Sequence, residues 1–416
     1  MFARSWASVV VILVTGAANL RAAEAVFRRI DGQPTDVSVD GSILIASTSY
    51  QISHSYLIRP DGTSLEIDAL PDDFFGATTA VSLSNDGTIV AGSAGSRSQF
   101  GFAWIKKPDE DFHRLGSFGG DRSFVRGMSA NGQVVVGIAS DSEQHYHGFR
   151  WTEETGMTAV DGIPNALESL VYGVSSDGRV ILGGSTFLCP ECDPGYIDYD
   201  DDCNGVCPPP IARYHETFLW TSETGAVSIG RPLAPNTAPN ASGKLETPQS
   251  VNAHAMSDDG STIVGTTSGP NGSFVWRAET GFLPLPNLQR FGHSFYPSDV
   301  SADGNLVVGL VAGAGAVVWT PQRGTQLLET VLADEYGLGE EMSNAFLERA
   351  TFVSADGRTI AGIDGDDRWW IVNLAHSISA PEPTTIQLLL ASIFVSTMTA
   401  RRHRGCRSLP KSETVT

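Results

Sequence analysis

The sequence predicts an all-β protein, a seven-bladed β-propeller, on three observations. A phrase of small residue, Asp-Gly or Asn-Gly, aliphatic run and a small residue, usually Gly, occurs seven times. It reads "VSVDGSILIA" from Val37, "LSNDGTIVAG" from Leu83, "MSANGQVVVG" from Met128 and "VSSDGRVILG" from Val174. It returns as "MSDDGSTIVG" from Met256, "VSADGNLVVG" from Val300 and "VSADGRTIAG" from Val353. The turn glycines (Gly41, Gly87, Gly132, Gly178, Gly260, Gly304 and Gly357) recur at about 45 residues, with one long step after Gly178. The third observation is at the ends. The last repeat stops one strand short at Leu374, and the chain holds a spare strand, "AVFRRI" (Ala25–Ile30), before the first turn.

Each element of the repeat follows from its residues. In the third copy "FVRGMS" is a strand, "ANG" a tight turn, "QVVVGIAS" a second strand, "HGFRWT" a third and "MTAVDG" a fourth. Asp-Gly and Asn-Gly between apolar runs mark hairpins, because such turns need positive φ. Four short strands per repeat of this length fit a propeller blade. Pairing of Val26–Ile30 into the seventh blade would close the ring and leave no exposed edge. An aromatic strand follows each turn, reaching Tyr56, Trp104, Trp151, Trp220, Trp276, Trp319 and Trp370. Regular recurrence reads as blade-to-blade packing at one structural place, rather than as a stacking platform for sugars or bases.

Composition narrows the class. Forty-four Gly, 41% hydrophobic and 18% charged residues describe a turn-rich globular chain with material for a core. A formal charge of −20 argues against nucleic acid as a partner, which needs clustered Lys and Arg.

Both ends read as targeting segments. Residues 1–25 hold Arg4, the apolar run "VVVILV" (Val9–Val14) and small residues up to Ala25, the layout of a signal peptide. Residues 376–383 form a linker ending in Pro381, Glu382 and Pro383. Thr384–Ala400 is uncharged and near the lower limit of about 17 residues for a transmembrane helix. Arg401, Arg402 and Arg404 open a basic tail, 401–416, expected to stay cytoplasmic. This end resembles the PEP-CTERM sorting signal of exported bacterial proteins, with Ala380 where that family often has Val and with an extra tail, "GCRSLPKSETVT". The resemblance implies an exosortase-type processing protease as partner, transient anchoring in the inner membrane, and release or transfer to the cell surface. A plain C-terminal anchor is the alternative.

The body, residues 26–375, loosely resembles the HAF repeat of exported bacterial proteins. "RLGSFGGDRSFVRGMSANGQVVVGIASDSEQHYHGFRW" (Arg114–Trp151) carries the likeness best; His147-Gly148-Phe149 and His54-Ser55-Tyr56 keep the His and the ring. The resemblance implies an extracellular repeat protein and brings no catalytic residues.

The long fourth repeat holds an insertion over 189–210, "CPECDPGYIDYDDDCNGVCPPP". Cys189, Cys192, Cys203 and Cys207 form an even set in a chain read as exported. The first reading is two disulfides, with three pairings open; a four-thiolate zinc site is the second. Asp198, Asp200, Asp202 and Asn204 are candidate calcium ligands, because D-x-D-x-N-G converges oxygens on a hard cation while Gly205 allows the turn. Ile211 stands where an EF-hand supplies its bidentate Glu, so a thrombospondin-type-3-like loop is the nearer comparison. The Asp preceding six of the seven turn glycines (Asp40, Asp86, Asp177, Asp259, Asp303 and Asp356) reads as turn chemistry.

No nucleophile elbow, H-E-x-x-H or P-loop is present in the sequence. His145-Tyr146-His147 reads as an exposed alternation. The expected function is therefore an exported, non-catalytic binding or structural propeller, with exopolysaccharide or a surface protein as partner. The alternative is a polysaccharide-active hydrolase or lyase, whose residues can scatter over blades without a motif. Three long links, 189–210, Gly230–Ser250 and Glu329–Ala350, are expected on the face opposite the Asp-Gly turns, where a partner would dock.

Overall fold

A computed structural model describes residues 25–378 except 31, 39–42, 47–54, 59–62, 68–77, 96–100, 190–211, 233–248, 269–271, 287, 289–293 and 344. Within them the chain is built from four-stranded antiparallel sheets. The first is β2 (Gln33–Val37), β3 (Ile43–Ala46), β4 (Ser55–Ile58) and β5 (Ser64–Ile67). The second is β6 (Thr78–Leu83), β7 (Val90–Gly95), β8 (Gly101–Lys106) and β9 (His113–Arg114). The third is β10 (Gly119–Met128), β11 (Val135–Asp141), β12 (Tyr146–Thr152) and β13 (Gly156–Val160); a parallel pair, Arg122 with Gly101, joins it to the second. The fourth is β14 (Glu168–Val174), β15 (Ile181–Cys189), β16 (Ala212–Thr221) and β17 (Gly225–Ser228). The fifth is β18 (Val251–Met256), β19 (Thr262–Thr267), β20 (Ser273–Arg277) and β21 (Gly281–Pro284). The sixth is β22 (Phe295–Val300), β23 (Val307–Val311), β24 (Gly315–Thr320) and β25 (Gly324–Leu327). After α1 (Leu328–Tyr336) the seventh comprises β26 (Leu347–Val353), β27 (Thr359–Asp364), β28 (Trp369–Asn373) and, last, β1 (Val26–Ile30).

The first strands touch in a cycle. β2 packs on β6, β6 on β10, β10 on β14, β14 on β18, β18 on β22, β22 on β26, and β26 again on β2. Sheets stacked in this cyclic order form a β-propeller. The N-terminal strand takes the outer place of the seventh sheet, with Val26 opposite Asn373 and Ile30 opposite Trp369. Phe27 stacks on Trp370 at 6.1 Å, and Arg29 reaches the buried Asp364 at 3.3 Å.

The repeated phrase has a mechanical explanation. In the sixth copy Ser301 Oγ donates to Asp303 Oδ1 at 2.6 Å and accepts the N–H of Leu306 at 3.0 Å; Asp303 Oδ1 also accepts the N–H of Asn305. Serine and Asp (or Asn) thus satisfy the turn backbone, and Gly304 supplies φ of 67°. The same bonds recur around Ser84, Ser129, Ser175, Ser257 and Ser354. Neighbouring turns are tied together as well. Asn85 N–H donates to Ala130 O, Ala130 N–H to Ser176 O, Ser176 N–H to Asp258 O and Ala302 N–H to Ala355 O.

The closing Gly of the phrase makes room for a ring. A Cβ on Gly92 would lie 2.4 Å from Trp104, and one on Gly362 would lie 2.4 Å from Trp370. Phe149, Phe218 and Phe274 cover Gly137, Gly183 and Gly265 in the same way. The expectation that the tryptophans share one structural place is therefore corrected. Trp104 and Trp370 sit opposite these glycines, whereas Trp151, Trp220, Trp276 and Trp319 pair two positions away with Val135, Ile181, Ile263 and Val307.

In the first, third and fourth sheets the residue before the ring, Ser55, Gly148 and Thr217, is small and meets the next sheet. Ser55 Oγ donates to Thr78 O and accepts Ala80 N–H; Thr217 Oγ1 does the same with Val251 O and Ala253 N–H. At Gly148 a Cβ would meet Val171 of the neighbouring sheet at 2.6 Å.

Candidate functional site

In a four-stranded blade, the first-to-second and third-to-fourth turns share one face, and the remaining links share the other. The Asp-Gly turns lie on the first face. Both described ends lie there too: Val26 faces Asn373, and Leu374 N–H donates to Arg358 O beside a turn glycine.

The opposite face carries a pocket of about 660 Å³ between the third and fourth sheets. Its walls are the link after β11 (Gln144, His145), the start of β12 (Tyr146, His147), the link from β13 to β14 (Asp161, Asn165) and the start of β14 (Glu168). The volume lies within the range of roughly 300–1,000 Å³ usual for small-ligand sites. Gln144 and Asn165, both on its wall, adopt φ of 67° and 68°, an uncommon conformation for residues with a side chain. Asp141 holds the first link: its Oδ1 accepts the N–H groups of Glu143 and His145, and its Oδ2 meets His147 Nε2 at 2.8 Å. The His147 bond, together with those backbone bonds, keeps the Asp141 carboxyl below its ordinary range.

A second cavity, about 270 Å³, runs along the axis between the first strands and is lined by Asp36, Arg126, Asp258 and Asp299 among others. Asp36 accepts N–H groups from Val37 and Leu83 and a bond from Ser82 Oγ; Asp299 accepts those of Val300 and Val353. Burial pushes Asp36 up to about 6 and Asp299 up to about 7, against the lowering effect of those bonds and with neighbouring carboxylates adding to the rise.

The expected docking link Glu329–Ala350 opens with α1 and joins the sixth sheet to the seventh. α1 buries Leu328, Val331 and Leu332 in a cluster with Leu306, Ile360 and Trp370, so this part of the insertion wedges the sixth sheet against the seventh. Hydrophobic burial wins because the apolar positions of α1 fall on one helical stripe.

Of the predicted site residues, Cys189 ends β15, is buried and is disulfide-bonded. Cys192, Cys203, Cys207 and the calcium candidates Asp198, Asp200, Asp202 and Asn204 lie outside the described residues, as do Pro381, Glu382, Pro383, Arg401, Arg402 and Arg404. Among the described residues no group of three or more His, Cys, Asp or Glu side chains is placed to hold a metal ion, and no helix is long and apolar enough to cross a membrane. The pocket was missed in the sequence because its walls come from two repeats, and only His145-Tyr146-His147 marked it.

No protein-family model matches the chain, and no curated protein matches it. Among solved structures it is similar to TolB from Acinetobacter baumannii at 14% identity, over 60% of this chain and 52% of that one, with a TM-score of 0.37. The chain thus spans about half the length of that protein. A chain of a mitotic checkpoint complex is similar at 12% identity over 88% of this chain and 98% of that one, with a TM-score of 0.44. A putative TolB from Agrobacterium tumefaciens is similar at 13% identity over 72% and 79%, with a TM-score of 0.36.

Proposed function

We propose that the protein is an exported surface or matrix component, a seven-bladed propeller that binds a partner without transforming it. The observation that carries this reading is the pocket between the third and fourth sheets, on the face opposite both described ends of the chain. A tether through either end leaves that face directed outward. The sorting reading of Pro381–Pro383, the membrane span 384–400 and exosortase processing belong to the same proposal, as do a stapled, calcium-binding 189–210 insertion and exopolysaccharide as partner. Rigid sheets carrying variable links are a common arrangement for binding.

The test is retention of the purified protein on neutral and acidic polysaccharides, with the same samples assayed for released products. Retention lost in Ala166→Trp, which fills the pocket, supports the reading. Product release by the parent protein would favour the hydrolase or lyase alternative.

A further inference from the structure

The pocket between the third and fourth sheets is one-sided in charge. Asp161 and Glu168 line it and are exposed, whereas no Lys or Arg lines it. Among the described residues neither carboxylate takes a hydrogen bond or an ion pair through its side chain. The side-chain amides of Gln144 and Asn165, one from each link that walls the pocket, are unbonded as well. Resting on the reading of this pocket as the binding site, we infer that it selects a glycan unit bearing a free amine over neutral and acidic glycans. Asp161 and Glu168 set that preference.

The charges on the wall do not cancel. His147 Nε2 lies 2.8 Å and His145 Nδ1 3.7 Å from Asp141 Oδ2, and Glu143 Oε2 lies 3.8 Å from His145 Nδ1. Even when both imidazoles carry a proton, Asp141 and Glu143 answer them, and Asp161 and Glu168 stay uncompensated. Arg122 reaches the Tyr146 hydroxyl at 3.4 Å but does not line the pocket. A concave site walled by one sign of charge concentrates the opposite sign and repels its own, so an ammonium enters with the field and a uronate against it. Size and polarity separate a sugar from a basic peptide. A volume of about 660 Å³ exceeds one Lys or Arg side chain and suits a ligand of several rings. The half-buried Tyr146 and Ile163 and the 56% exposed Leu167 offer apolar surface to the C–H face of such a ring. Tyr146 also attracts an ammonium through its π face. The free amides of Gln144 and Asn165 supply donors and acceptors for hydroxyl groups.

Length-matched oligomers of glucosamine, N-acetylglucosamine and a uronic acid, titrated into the purified full chain, test the preference. At about pH 6 an amine of ordinary pKa carries its proton. The glucosamine oligomer is expected to bind about tenfold more tightly than the acetylated one, and the uronic oligomer more weakly than either. Asp161→Asn and Glu168→Gln are each expected to weaken the amine oligomer about threefold. The double variant is expected to bind both amino-sugar oligomers alike, with the acetylated one unchanged and melting as in the parent. Added salt is expected to narrow the preference. Three oligomers bound alike, or the uronic one bound best, overturn the inference; if Ala166→Trp abolishes that binding, the pocket reading stands without it. An amine preference that persists in the double variant or in Ala166→Trp puts the amine elsewhere and overturns the inference. A lysine-rich peptide that binds the pocket more tightly than the amine oligomer makes the partner a basic protein and overturns it too. Failure of every oligomer to bind also overturns it, while retention on whole polysaccharides tests the pocket reading separately.

Discussion

Asp36 accepts the backbone N–H of Leu83 at 2.7 Å, so a carboxylate on the inner strand of the first sheet holds the inner strand of the second. Asp299 repeats the device between the sixth and seventh sheets, accepting Val353 N–H at 2.9 Å. Each follows the bulge in its strand, and both face the axial cavity with Asp258.

These two carboxyls predict an unusual pH dependence. Folded, they protonate at about 6 and about 7, against 3.8 as the ordinary value. Between about pH 4 and 7 the folded protein binds more protons than the unfolded chain, so stability falls as pH rises through that window. Every tenfold gain in proton affinity on folding is worth ~1.4 kcal/mol, reduced by water in the cavity. Below about pH 4 the sign reverses. Bonds from Ser84 and Ser175 hold Asp86 and Asp177 low; at Asp259 and Asp303 burial opposes, but bonds from Ser257, Ser301 and the backbone outweigh it. Melting temperature is expected to peak near pH 4–5; a steady rise from pH 4 to pH 8 would contradict this.

Ring closure by β1 predicts that deleting Val26–Ile30 exposes β28 and leaves Asp364 without Arg29. Marked loss of stability or aggregation is expected. Phe27→Ala, which removes the stack on Trp370, is expected to cost about 1–3 kcal/mol in chemical denaturation. A deletion variant that melts like the parent would refute the closure.

The wedge predicts a second sensitive seam. Leu332 is fully buried between the sixth and seventh sheets, so Leu332→Ala is expected to cost about 2–5 kcal/mol by leaving a cavity. A loss under about 0.5 kcal/mol, the usual effect of an exposed site, would mean that the link is a surface loop after all.

Much of this architecture was legible because the same physical demand recurs in every repeat. Asp303 and Gly304 spell their turn locally, and Val26–Ile30 follows from a missing strand. The split of the tryptophans was hidden, since Phe149 and Trp104 fill one place although their phrases align Trp151 with Trp104. Asp36 and Asp299 carry no local mark, because a bulge and the next sheet define their role. Leu328, Val331 and Leu332 were readable as a helical stripe, but which surface covers them depends on the ring.

Binding measured side by side on variants of the two faces tests the central claim most directly. Ala166→Trp fills the pocket face, and Asp177→Asn changes an Asp-Gly turn on the other while keeping its acceptor. The account predicts that retention on cell envelopes or polysaccharide is lost in the first and kept in the second, with both melting like the parent. Retention kept in the first and lost in the second would place the partner on the opposite face and contradict it.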